Sequence, residues 1–168
     1  FYGTIFYIVE STHTAGVIWV ATDDGRLQIT RNGGDSWVDV TPRNLKGAQI
    51  NAIEVSPHEP GVAYIAVAGY KMNDFEPYIY KLTDFGKRWM RLDSDLPDDN
   101  FVRVVRADPE RQGLLYAGCE GGLFVSFDDG DHWQSLNMNF PTVPITDLRV
   151  RQNTLIAATQ GRGFWALD

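Results

Sequence analysis

Ser126-Phe127-Asp128-Asp129-Gly130-Asp131-His132-Trp133 has two near copies upstream, Thr30-Arg31-Asn32-Gly33-Gly34-Asp35-Ser36-Trp37 and Leu82-Thr83-Asp84-Phe85-Gly86-Lys87-Arg88-Trp89. Asn32, Asp84 and Asp128 lie 52 and 44 residues apart (84−32 and 128−84). Self-similarity at an interval of about 40–50 residues constrains the architecture before any side-chain chemistry is considered. Around the motifs, the runs 4–9, 17–21, 50–55, 62–68, 78–82, 102–106, 114–118 and 123–126 are short, rich in β-branched and aromatic residues, and bounded by Gly, Pro, Asn or Asp. Such runs read as strands. No window of a dozen residues carries capped apolar positions at three-and-four spacing, so the chain reads as all-β.

Aligned on the three motifs, each unit is a strand, a Pro/Gly-rich connection, a second strand, a tight turn, a third strand, the motif and a short fourth strand. Four antiparallel strands per unit of this length are the signature of a β-propeller blade. The register predicts one partial propeller over residues 1–168, with blades at about 3–41, 50–92 and 101–136. A fourth blade, 145–168, ends after its third strand, so about three and three-quarter blades are present. An open arc leaves apolar sheet faces uncovered. The partners expected from this are the remaining blades of a longer propeller, or a second copy of the chain closing a ring as a homodimer.

Each motif falls at the turn between the third and fourth strands. Asn32, Asp84 and Asp128 can accept bonds from nearby backbone N–H groups, while Gly34, Gly86 and Gly130 permit positive φ. Trp37, Trp89 and Trp133 are expected to bury their faces between neighbouring sheets. The alternative for these carboxylates is calcium, which takes 6–8 oxygens from several segments, and the EF-hand spacing is absent. The motifs therefore read as structural, with no metal and no cofactor implied.

The pattern Ser/Thr-x-Asp-x-Gly-x-x-Trp resembles the Asp-box, or bacterial neuraminidase repeat, family of β-propellers over essentially the whole chain. Residues 118–133 and the ending Ala158-Thr159-Gln160-Gly161-Arg162-Gly163-Phe164-Trp165 look closest to its sortilin-like bacterial group, often labelled glycosyl hydrolase. The resemblance implies structural rather than catalytic motif residues, and an extracellular or periplasmic setting. Two departures stand out: Asn32 replaces Asp and Leu82 replaces Ser/Thr, and each is expected to cost its turn a hydrogen bond.

A formal charge of −7 and no Lys/Arg cluster argue against a nucleic-acid partner, which needs a basic stripe to displace phosphate counterions. No apolar run reaches the ~18 residues of a membrane span. The single Cys119 excludes an internal disulfide and leaves the compartment open.

In a four-stranded blade the second-to-third turns and the blade connections share the face opposite the motif turns, and binding groups are expected there. The candidate loops are 41–49, 69–77, 93–100 and 137–144. The loop 69–77 is the outstanding insertion, mixing aromatic and polar side chains suited to a sugar or a peptide. The ligand-binding candidates are Tyr70, Asp74, Phe75, Tyr78, Asp98 in an acidic connection, and Arg162 between two glycines. For catalysis, Asp147 and Glu54 are the carboxylates on inner strands, although no matched motif supports either. Glycoside hydrolysis needs two carboxylates across the scissile bond. The expectation is thus a non-catalytic binding module for carbohydrate or peptide, with part of a xyloglucan- or sialidase-type glycoside hydrolase as the alternative.

Overall fold

A computed structural model describes residues 3–45, 47–136 and 141–168. Among these the chain forms three four-stranded antiparallel sheets and one three-stranded sheet, the expected all-β propeller. The first sheet is β1 (Ile5–Glu10), β2 (Ile18–Thr22), β3 (Leu27–Thr30) and β4 (Val38–Asp39). The second is β5 (Gln49–Val55), β6 (Ala63–Ala68), β7 (Tyr78–Thr83) and β8 (Arg88–Arg91). The third is β9 (Val102–Ala107), β10 (Leu115–Cys119), β11 (Gly122–Ser126) and β12 (Gln134–Ser135). The fourth is β13 (Ile145–Arg151), β14 (Thr154–Thr159) and β15 (Phe164–Leu167). Strands follow sequence order within every sheet, so each blade is a simple meander. Middle strands read as continuous apolar runs because they are covered on both faces: β6 is buried at all six positions.

The core lies between blades rather than inside one. One apolar cluster joins the first and second sheets through Trp19, Ile29, Ile53 and Ile65, and another joins the second, third and fourth through Ile79, Val104, Leu115 and Leu148. Polar ties repeat at the first two seams. His13 Nε2 donates to the Ser56 carbonyl at 3.0 Å, and His58 Nε2 to the Asp108 carbonyl at 2.8 Å, each linking one blade to the next. The motif turns close the same seams on the same face, each from the following blade. A Cβ at Gly86 would lie 2.6 Å from Val40 of the preceding blade, and one at Gly130 2.8 Å from Leu92, so glycine permits the close approach as well as the positive φ.

In the first turn, Asn32 Oδ1 accepts from the Thr30 hydroxyl at 2.9 Å and from the Ser36 N–H at 3.0 Å. In the third, Asp128 Oδ1 accepts from the Ser126 hydroxyl and the His132 N–H, both at 2.9 Å. The Asn therefore keeps the bond that its replacement of Asp was expected to lose, because one amide oxygen suffices for both donors. Leu82 does change its turn. Lacking a hydroxyl there, Gly86 N–H donates to the Thr83 carbonyl at 3.1 Å, and Asp84 and Phe85 both take positive φ, 49° and 56°.

The tryptophans divide as well. Trp133 is 7% exposed and its Nε1–H donates to the Leu92 carbonyl at 2.5 Å. Trp37 and Trp89, expected to be buried, are 42% and 37% exposed. Trp89 lies on β8, whose residues are all exposed, with only an edge contact to Tyr80 at 5.9 Å. Trp37 belongs to the first sheet, which has no sheet before it among the described residues, so no carbonyl equivalent to that of Leu92 meets it. The exposure of Trp37 reflects its place in the arc; Trp89 has the first blade beside it and is exposed all the same, and the strand register around both is regular.

Two outcomes are expected. Trp133→Ala should destabilise by roughly 3–5 kcal/mol, and Trp37→Ala by less than about 1 kcal/mol, in urea denaturation. The second concerns Asp128 and His132, joined at 2.7 Å. The hydrogen bond from His132 holds the Asp128 carboxyl down at about 2, and Asp128 in turn raises the imidazole above its ordinary 6.5. Stabilisation from the lowered carboxyl is complete above 3.8 and lost as pH falls toward 2; that from the raised imidazole is complete below 6.5 and lost as pH rises through the folded value. The melting-temperature difference between wild type and His132→Asn should therefore peak between pH 3.8 and 6.5 and shrink on both sides.

Candidate functional site

Alternation of strand direction puts the 69–77 insertion and the connections between blades on the face opposite the motif turns. The insertion begins with one turn of 3-10 helix, Tyr70–Met72, ended by Asn73 in the left-handed conformation. It then folds back so that Asp74 Oδ1 accepts from the Glu76 N–H, while Asp74 Oδ2 accepts from the Tyr78 hydroxyl at 2.8 Å. Below it, between the 41–49 connection and the second blade, is a cavity of about 380 Å³ lined by residues including Asn44, Met72, Asp74, Tyr78, Tyr80 and Arg91. That volume lies within the range of small-ligand sites.

Each wall is fixed by its element. Tyr78 opens β7 and Tyr80 follows on the same side of the strand, as period two requires. Arg91 closes β8 opposite Tyr80, with its guanidinium 4.8 Å from the Tyr78 ring centre. Arg91 is anchored from behind by Asp93, at 2.9 Å. Asp93 also accepts from the Ile79 N–H and is buried, so this acidic residue of the 93–100 connection is structural. Burial first, then the hydrogen bond to Asp74, push the Tyr78 phenol up to about 12, so it stays a donor at neutral pH. The pocket thus combines apolar and aromatic surface with a carboxylate, an amide and a guanidinium.

Of the sequence-derived ligand candidates, Asp74 and Tyr78 meet in this cavity. Tyr70 and Phe75 stand beside it, packed on Phe101 at 5.2 and 6.3 Å and about two-fifths exposed. Asp98 is exposed on the connection to the third blade, and Arg162 on the β14–β15 turn of the fourth; neither lines the cavity. Residue 46 of the 41–49 connection and residues 137–140 of the 137–144 connection lie outside the described residues. Asn44 and Met72 lie in the candidate loops 41–49 and 69–77, whereas Arg91 of β8 comes from outside them, because only tertiary folding brings β8 against the insertion.

The two carboxylates singled out for catalysis come together, on a residue the sequence reading passed over. Arg106, on β9, has only 4% of its side chain exposed and donates to Asp147 Oδ1 at 2.8 Å, to Glu54 Oε2 at 3.5 Å and to the Leu148 carbonyl at 2.9 Å. It also donates to the Tyr7 hydroxyl and to the Val105 carbonyl, both at 3.2 Å. Glu54 also accepts from the Ala107 N–H, and burial raises its carboxyl above the ordinary range against the pull of Arg106. The available signal was Arg106 itself, the fifth residue of the otherwise largely apolar strand Val102–Ala107.

No family model matches the chain. It is 26% identical over 123 residues to an oligoxyloglucan-reducing end-specific xyloglucanase of Emericella nidulans, covering 72% of this chain and 15% of that protein. A probable enzyme of the same description from Neosartorya fischeri is 29% identical over 119 residues, covering 67% of this chain and 14% of that one. In sequence this β-propeller resembles xyloglucanases. Its fold overlays the GH74 xyloglucanase of Xanthomonas campestris with a TM-score of 0.76 and 19% identity, over 96% of this chain and 27% of that structure. The chain therefore spans about a seventh of the length of its curated relatives.

Replacing Arg106 by leucine should cost roughly 3–5 kcal/mol, because Glu54 and Asp147 would lose their common cation. The double variant Arg106→Leu/Glu54→Leu should recover part of that loss in urea denaturation, since no carboxylate is then left buried at the Glu54 position.

Proposed function

We propose that this chain is a carbohydrate-binding segment of a xyloglucanase-like propeller of the Asp-box type, and that it takes a β-glucan chain in the cleft between the 41–49 connection and the second blade. The observation that carries this reading is the cavity under the 69–77 insertion, where Met72, Tyr78 and Tyr80 offer apolar and ring surface beside Asp74, Asn44 and Arg91. Sugar rings lay their C–H faces on aromatic and apolar surface, while charged and amide groups at the rim take the hydroxyls. The likeness to xyloglucanases supports the choice of glucan over other ligands.

Within these residues the role is binding rather than turnover. Glu54 and Asp147 share one guanidinium, and each is committed to holding inner strands together. A general acid and its partner carboxylate must instead flank a scissile bond with room for the sugar between them.

Affinity electrophoresis in gels containing xyloglucan tests the reading. Migration should be retarded relative to a gel without polysaccharide, and Tyr78→Ala should weaken binding about tenfold, the loss of one ring contact worth roughly 1.4 kcal/mol. Equal migration in both gels, or retardation that Tyr78→Ala leaves unchanged, would sink the proposal. Release of reducing ends from the glucan by this chain, abolished by Asp147→Asn, would overturn the non-catalytic part of it.

A further inference from the structure

The insertion that roofs the cavity is held from a blade that does not line it. Backbone bonds of its 3-10 turn close on the insertion itself: Met72 and Asp74 N–H donate to the Gly69 carbonyl at 2.7 and 3.2 Å, and Asn73 N–H to the Tyr70 carbonyl at 3.1 Å. They give the insertion its shape, while its seating over the sheet depends on side chains. Two polar contacts tie it to its own blade, Lys71 Nζ donating to Gln49 Oε1 at 2.5 Å and the Tyr78 hydroxyl to Asp74. The third tie crosses to the next blade. Tyr70 stacks on Phe101 with ring centres 5.2 Å apart and planes inclined by 26°, and Phe75 meets the same ring at 6.3 Å.

Phe101 immediately precedes β9, the inner strand of the third blade, and is buried. Its carbonyl accepts from the Glu120 N–H at 3.1 Å, and the Arg103 guanidinium, bound to Glu120 at 2.6 Å, lies 4.9 Å from its ring centre. The third blade therefore fixes this ring through both backbone and side chain, whereas the two rings that rest on it are partly exposed and belong to a loop. We propose that Phe101 is a positioning residue for the cavity, a role that rests on the glucan reading above: by holding Tyr70 and Phe75 it sets where Met72 and Asp74 stand over the bound sugar. Tyr70, Phe75 and Phe101 do not line the cavity, so their effect on a ligand passes through the insertion. A loop already seated when the ligand arrives spares binding the entropy of ordering it.

Hydrogen exchange and gel retardation in xyloglucan, both on the full chain, test this role. Phe101→Leu keeps an apolar side chain at the buried position and removes the ring, whereas Tyr70→Ala/Phe75→Ala removes its exposed partners. Each should speed exchange at the Met72, Asn73 and Asp74 amides about tenfold and leave the amides of β6 unchanged. Each should also weaken glucan binding about fivefold, the scale of one aromatic contact. Combining all three substitutions should cost little more than either change alone, because both break the same contact. Fully additive losses would mean that Tyr70 and Phe75 touch the sugar themselves, and unchanged exchange in Phe101→Leu would mean that this ring does not hold the insertion; either result overturns the proposal. If xyloglucan fails to retard the wild-type chain, the glucan reading falls, and exchange at the three amides still decides whether Phe101 seats the insertion.

Discussion

The guanidinium of Arg106 is the one group on which the blades converge. It sits on the inner strand of the third blade and binds the inner strands of the other three: Tyr7 of β1, Glu54 of β5, and Asp147 with the Leu148 carbonyl of β13. An arginine suits this place because its donors are fixed in a plane and diverge, so one buried cation can satisfy acceptors arriving from several directions. A buried charge is expensive unless paired and fully hydrogen-bonded, so the carboxylates and the tyrosine around it are obligatory companions. That requirement, more than any demand of chemistry, accounts for Glu54 and Asp147 on inner strands.

Outward from this point, coupling is local and repetitive. The first two seams each use a histidine from one blade, a glycine turn from the next, and apolar strand faces between them. Blades in such an arrangement stabilise mainly their immediate neighbours, as in other repeat proteins. The turns differ in chemistry at several positions, and one of these differences faces the preceding blade: Phe85 packs on the apolar cluster of the first two sheets, whereas Asp129 binds Tyr64 and Lys81. Specificity between blades is therefore encoded in a few contacts superimposed on a common apolar seam. The opposite face is left to the longer connections, and the 69–77 insertion uses that freedom to build a lined cavity.

Much of the fold was legible because the motif recurs and its turn chemistry is local. Ser126 and Thr30 hydroxyls bond within their own turns, so the residues that make the turn are adjacent in sequence. Leu82 signalled a different turn for the same reason. Burial of Trp37 was not legible because it depends on what stands beside a blade, and a motif says nothing of its neighbour. The site divides similarly. Asp74 and Tyr78 are four residues apart on one insertion and could be grouped from sequence, while Arg91 and Asn44 enter from other elements.

Sequence alone determined the strand order, the four-unit architecture and the face on which the longer connections gather, since each follows from residue types a few positions apart. Tertiary structure alone decided that Arg106 gathers four blades, that the candidate catalytic carboxylates serve it, and that His13 and His58 tie neighbouring units. Those contacts join residues about 40 to 100 positions apart in the chain. They depend on how far each sheet rotates about the common axis, a quantity set by packing between blades rather than by any one stretch of chain.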